Sequence, residues 1–221
     1  MTQTAGRSAI LSSWAAWIGA LEAKGVAATA GLRPGATDEQ IEAVEELVGA
    51  PLPAEARALY LAADGQFDLF KGSDRPKGTL MAPIFGGYEF NSLERMTFEW
   101  SSWLEVRKQS SAEELDDFNA NVEVRSGHGV KKLYTHALWI PFATDGGGNS
   151  LAFDLDPPSG GTSGQIIVIG SDEDERRVLA PSLNAFLIRS TQLLSVGRLT
   201  IDAPDDGDPI VFFDIEPGML Q

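Results

Sequence analysis

Apolar positions along the chain fall into two periods. Trp14, Trp17, Ile18 and Leu21 recur at i, i+3, i+4 and i+7, so residues 8–24 are expected to form a helix that docks by this stripe and stops near Gly25. Thr37-Asp38-Glu39-Gln40 is a capping-box pattern, followed by an apolar face of Ile41, Val44, Leu47 and Val48 and a stop at Gly49. Pro53 suits a first helical position. Residues 54–63 then read as a third helix, with Leu59 and Tyr60 inward and Asp64-Gly65 as its end. Residues 66–70 and 79–85 are short β-type runs, with Gly86-Gly87 as a turn. Asn91-Ser92 can cap a helix that reaches about Lys108, with Leu93, Met96, Trp100, Trp103 and Leu104 on its apolar side. Residues 110–119 form a polar, acidic helical stretch, and 121–136 have no clear period, as expected of an excursion over the surface.

The period then shortens. Residues 137–142 are apolar and include Trp139, and residues 150–155 alternate, with Leu151, Phe153 and Leu155 on one face and Ala152, Asp154 and then Asp156 on the other. Residues 156–164 are a Pro/Gly/Ser loop, and 165–169 an almost wholly apolar strand with an acidic end at Asp172, Glu173, Asp174 and Glu175. Residues 181–196 read as a last helix with Leu183, Phe186, Leu187, Leu193 and Leu194 buried. Residues 202–208 read as an acidic turn, and 210–215 as an edge strand. There is no internal repeat and no composition break. Helices, then strands, then a closing helix predict a single α+β domain over 1–221, with helices packed on a largely antiparallel sheet.

Composition narrows the chemistry. Among 221 residues there is no cysteine, which excludes a disulfide framework, a thiol nucleophile and iron–sulfur ligation. The formal charge of −15 disfavours nucleic acid and suits a basic protein partner. No signal-peptide pattern opens the chain, because Ser12, Ser13 and two Trp interrupt the apolar run, and no stretch approaches the ~18–20 apolar residues of a membrane helix. A cytoplasmic protein is expected.

Motifs for catalysis fail on spacing. Asp145-Gly146-Gly147-Gly148-Asn149 could cradle a phosphate, but it lies between two strand-like segments with no Lys following, so a tight turn is the better reading. If Gly147 has positive φ, Gly147→Val costs about 1–3 kcal/mol. Ser163 misses nucleophile-elbow spacing because Gln165 stands where Gly is needed. His128 and His136 are the only histidines and match no ligand pattern. Asp154 and Asp156 share a strand face, which leaves a carboxylate pair geometrically possible. No catalytic residue, cofactor site or metal site is assigned.

The capped helix from Thr37, the Leu52-Pro53 link and Asp64-Gly65 occur here in a fixed order with Trp139-Ile140-Pro141-Phe142-Ala143, the Asp145 to Asn149 turn, Leu155-Asp156, Gly164-Gln165-Ile166 and Phe186-Leu187. This order resembles the SUKH superfamily, which includes fungal cell-wall assembly regulators of the Smi/Knr type and bacterial immunity proteins against polymorphic toxins. The resemblance covers about 37–187. The N-terminal Trp helix, residues 110–136 and the tail after Gly197 depart from it, as partner-specific or merely structural additions. The resemblance implies a non-enzymatic binder. Ala richness and an excess of Arg over Lys lean toward a bacterial source, so the leading expectation is an immunity-type protein that neutralises a basic toxin domain, such as a nuclease. The alternative is a regulatory scaffold in cell-wall or signalling control, and a third reading is a hydrolase using Asp154 and Asp156. The candidate partner-binding residues are Glu113, Glu114, Asp116, Asp117, Asp172, Glu173, Asp174 and Glu175, which combine dense negative charge with expected exposure.

Overall fold

The computed structural model describes residues 2–67, 82–125, 129–202 and 210–213. Helix α1 (Thr2–Glu22) buries Ile10, Trp14, Trp17, Ile18 and Leu21 in the main core. The Trp17 indole donates to the Ile84 carbonyl (3.2 Å), and Trp14 meets Phe85 and Phe90 at ring distances of 6.1 and 5.8 Å. This helix lies against α3 (Ala54–Ala62) and α6 (Leu183–Ser195), so the N-terminal addition is part of the core. α2 (Asp38–Val48) opens on the complete Thr37/Gln40 capping box and closes at Gly49 in the left-handed conformation. Ile41, Val44 and Val48 are buried, but Leu47 is 48% exposed and turns away from the face expected to hold it. Arg57 of α3 bonds Asp38 and Glu45 of α2 at 2.9 and 2.6 Å, which fixes the two helices together.

Sheet strands start later than the apolar pattern suggests. Residues 66–67 and 82–85 are not in strands, and the rest of the two expected runs, 68–70 and 79–81, lies outside the described residues. Gln66 explains the difference. Its buried side-chain amide donates to the Ala82 carbonyl (2.8 Å) and accepts from the amides of Ile84 (3.3 Å) and Phe90 (2.9 Å). One side chain thus does the pairing that a β-ladder would do, and Ile84 and Phe85 bury themselves in a turn.

The sheet has the order β1-β3-β4-β5-β6-β2. Its body is an antiparallel meander of β3 (Trp139–Thr144), β4 (Asn149–Asp154), β5 (Gln165–Gly170) and β6 (Glu175–Ala180). β1 (Glu89–Phe90) borders β3, and β2 (Glu123–Val124) runs parallel to β6 on the other edge. Beyond the end of β1, Asn91 takes the Pro141 carbonyl through its side chain (3.1 Å), and Tyr60 donates to the Asn91 carbonyl (2.9 Å). α4 (Leu93–Gln109) begins at the Ser92 cap and buries Leu93, Met96 and Trp100, while Trp103 and Leu104 are only partly covered. α5 (Ala112–Asn121) follows from Ser111. β7 (Leu199–Asp202) pairs with β8 (Ile210–Phe213) as a two-stranded ribbon, and residues 203–209 and 214–221 lie outside the described residues.

Both faces of the meander are dry. The helices and the Phe85, Phe90, Phe142 and Phe153 rings cover one face. On the other, Trp139, Ala152, Ile167 and Ile169 form a smaller core capped by Val130 and Leu133. The unpatterned stretch 121–136 therefore supplies, in its described part, an edge strand and a cover for this face.

The hairpin between β3 and β4 is the expected tight turn, built differently in detail. Gly146 (φ 75) and Gly148 (φ 104) have positive φ, and Gly147 does not. A Cβ at Gly148 would come within 2.7 Å of the Ser171 hydroxyl, whereas one at Gly147 meets only the Asp145 side chain at 3.4 Å. Gly148→Ala is expected to cost about 1–3 kcal/mol, and Gly147→Ala to stay within about 0.5 kcal/mol. Urea midpoints for the two variants check this, and equal losses contradict it.

Candidate functional site

The two acidic clusters meet at one end of the sheet. The Ser111 capping box starts α5, with the Ser111 hydroxyl accepting from the Glu114 amide (3.2 Å) and the Glu114 carboxylate from the Ser111 amide (2.7 Å). Glu113, Glu114, Asp116 and Asp117 are all exposed. At about 100° per residue, Glu114, Phe118 and Asn121 share one stripe, and Glu113, Asp116 and Asp117 the next. The chain then leaves the helix into β2, where the Glu123 amide donates to the Asp174 carbonyl (2.7 Å). That bond brings the end of α5 beside the turn joining β5 to β6.

Within that turn the carboxylates are not equivalent. Glu173 bonds Arg177 (2.9 Å) and Glu175 bonds Arg125 (2.5 Å), so both charges are answered within the fold. Asp172 and Asp174 are exposed and carry no ion pair among the described residues. The same holds for Glu113, Asp116 and Asp117. Between helix and turn lies a pocket of about 100 Å³ lined by Phe118, Asn121, Val122, Tyr134, Glu173 and Asp174. Phe118 and Tyr134 stand 5.0 Å apart, and Trp103 packs edge-on against Tyr134 at 5.4 Å.

Beneath the pocket sits Arg176, whose side chain is fully buried. Its guanidinium donates to the carbonyls of Leu133 (3.2 Å), Tyr134 (2.9 Å), Gly170 (3.3 Å) and Glu173. No carboxylate lies within ion-pair distance among the described residues. Burial lowers its pKa, yet a guanidinium starts so high that it keeps its proton. Sequence reasoning missed Phe118, Tyr134 and Arg176. The available signal was a lone aromatic, Phe118, on a largely acidic helix; Arg176 stands between Glu175 and Arg177, so nothing in the strand's pattern marks it as the buried one.

The other candidates are occupied with structure. Asp145 accepts from the Gly147 amide (2.7 Å), the Asn149 amide (3.0 Å) and the Asn149 side chain (2.8 Å), so the turn consumes its own donors. Ser163 is exposed and donates to the Leu155 carbonyl (3.2 Å). Asp154 is 0% exposed and accepts from Gln165 (2.9 Å) and the Asp156 amide (3.1 Å). Burial pushes its pKa up. Asp156 lies past the end of β4, half exposed and bonded to Lys131. The two carboxylates therefore share no open cleft, which removes the geometric basis of the hydrolase reading. Among the described residues no group of three or more His, Asp or Glu could hold a metal. His128 lies outside the described residues. The Leu138 amide donates to Nδ1 of His136 (3.2 Å), so the neutral ring carries its proton on Nε2, which faces Asp156 (3.4 Å) and Lys131 (3.3 Å).

Residues 35–189 match the model of the SMI1 / KNR4 family (SUKH-1). The chain belongs to this family. It is 29% identical over 206 residues to KNR4/SMI1 homolog 2 of Debaryomyces hansenii, covering 79% of this chain and 33% of that protein. The glucan synthesis regulatory protein of Neurospora crassa is 29% identical over 198 residues, covering 77% and 36%. The cell wall assembly regulator SMI1 of Saccharomyces cerevisiae is 27% identical over 195 residues, covering 77% and 37%. The chain thus spans about a third of the length of these curated SMI1/KNR4 relatives. All three are fungal proteins and two are named as regulators, so the comparisons back the regulatory alternative rather than the immunity expectation and the bacterial source it leaned on. No helix among the described residues is long and apolar enough to cross a membrane.

Two outcomes test this region. Arg176→Met leaves four carbonyls without their donor and is expected to cost at least about 3 kcal/mol, with Arg176→Lys recovering only part. Urea denaturation with an unchanged slope checks it, and a loss below about 1 kcal/mol contradicts it. Burial, and then the Lys131 ammonium, hold His136 below its ordinary value of 6.5; Arg107 acts the same way and Asp156 opposes them. The unfolded chain therefore takes up this proton more readily, and stability is lost as pH falls below about 6.5. In His136→Gln the decline between pH 6.5 and 5 is expected to be shallower. Identical pH profiles from denaturant titration would show that the ring is not the source.

Proposed function

We propose that this chain is a non-enzymatic protein-docking module of the regulatory SMI1/KNR4 kind, which engages a basic partner through the acidic end of its sheet. The observation that carries the reading is the convergence of α5 and the β5–β6 turn. There Glu113, Asp116, Asp117, Asp172 and Asp174 stand exposed without ion pairs among the described residues, beside a pocket lined in part by Phe118, Tyr134 and Asp174. Uncompensated carboxylates on one surface speed encounter with a complementary surface and repel the wrong ones. The relatives' names as cell-wall and glucan-synthesis regulators support a regulatory client. A second reading, neutralisation of a basic toxin domain, draws on the same surface and on the net charge of −15. The identity of the client separates the two.

The test is affinity capture from cells of the source organism, followed by kinetics with the captured partner. Three forms are compared: the native chain, a face variant (D116N, D117N, D172N and D174N together) and a control (E42Q with E46Q on α2). The face variant is expected to associate about tenfold more slowly at low salt, with little change in the control. A partner that binds all three alike would overturn the docking surface. Hydrolysis of an ester, nucleotide or glycoside that disappears in Asp154→Asn would overturn the non-enzymatic reading.

A further inference from the structure

We infer that the pocket between α5 and the β5–β6 turn receives the guanidinium of an arginine presented by the partner. The inference rests on the docking reading above and names the group that anchors it. Size argues first. A cavity of about 100 Å³ is well below the ~300–1,000 Å³ of small-molecule sites, and it admits the end of one side chain.

The lining argues next. Phe118 is 38% exposed, so part of an aromatic ring that lines the pocket faces solvent. Tyr134 packs directly against it, tilted by 39° with ring centres 5.0 Å apart, and is backed in turn by Trp103, so the aromatics form one wall. The open side of such an aromatic wall favours a flat, weakly hydrated cation, which a guanidinium is and an ammonium is not. A purely apolar guest is disfavoured by the carboxylates at the rim.

Charge decides the sign and the geometry. Of the two acidic lining residues, Glu173 is already bonded to Arg177. Asp174 is exposed and unpaired among the described residues, so its carboxylate is the one open to a forked donor. The cations nearby are engaged elsewhere: Arg125 with Glu175, Arg177 with Glu173, and Lys132 directed at the Ala120 carbonyl (3.4 Å). Arg176 holds the carbonyls of Tyr134 and Glu173 from below, so both walls are fixed before any guest arrives.

The test uses the full chain and three small probes, N-acetylarginine amide, N-acetyllysine amide and N-acetylcitrulline amide, followed by the amide resonances of Phe118, Asn121, Tyr134 and Asp174. The arginine probe is expected to shift these signals saturably, the lysine probe to bind about threefold to fivefold more weakly, and the uncharged citrulline probe not to bind. Phe118→Ala and Asp174→Asn are each expected to weaken the arginine probe by about threefold to fivefold. The control variant E42Q with E46Q on α2 leaves it within about twofold. Equal response to citrulline, indifference to Phe118→Ala, or shifts spread over the acidic surface but absent at Phe118 would each overturn the inference. The docking reading fails separately, when a captured partner ignores the face variant. Partner binding that needs the face but tolerates Phe118→Ala overturns the arginine pocket alone.

Discussion

A buried positive charge hydrogen-bonded to backbone carbonyls, with no carboxylate in direct contact among the described residues, organises one end of this molecule. The Arg176 guanidinium gathers the end of β5, the turn after it and the strap at Leu133 and Tyr134 into one hydrogen-bonded unit. A carboxylate partner would have neutralised it locally. Carbonyl dipoles leave a net cation in the interior, which lowers the potential cost of crowding acidic side chains above it. The acidic turn and the buried arginine are thus two parts of one electrostatic arrangement.

Much of the architecture was legible in the sequence, because local chemistry and global packing agree there. The Thr37 box, the α1 stripe through Trp14, Trp17 and Leu21, the β3–β4 turn and the closing helix all form as their patterns imply. The misses have particular causes. Residues 82–85 have strand-like composition, yet Gln66 satisfies their backbone through a side chain, which no period records. Asp154 alternates as an outward residue should, but a second core covers that face too, so outward does not mean wet. Three glycines in a row mark a turn without marking which of them take positive angles, and these fall on either side of Gly147.

The acidic end was legible only as composition. Sequence density pointed to α5 and to the Asp172 to Glu175 run, and both are at this end of the sheet. It could not separate Glu173 and Glu175, which answer arginines, from Asp172 and Asp174, which do not. Nor could it place Phe118 opposite Tyr134, since that contact depends on the short parallel pairing of β2 with β6. Family membership and regulator names among fungal relatives converge on binding as the use of this surface.

Gln66 has a wider consequence for how sequences of this kind can diverge. One buried amide ties Ala82, Ile84 and Phe90 together, and the backbone bonds of Gln66 to Phe90 and of Phe67 to Gly31 hold the same region, so the anchor points on either side of residues 68–81 are fixed by a few contacts around Gln66. Closing a longer connection between fixed ends adds only about 0.6 kcal/mol per doubling of its length. Insertions can therefore accumulate at this position without disturbing the register of the sheet, provided that glutamine is kept. Evolution is free to append new sequence here at little thermodynamic expense, in a module that its relatives carry within chains about three times as long.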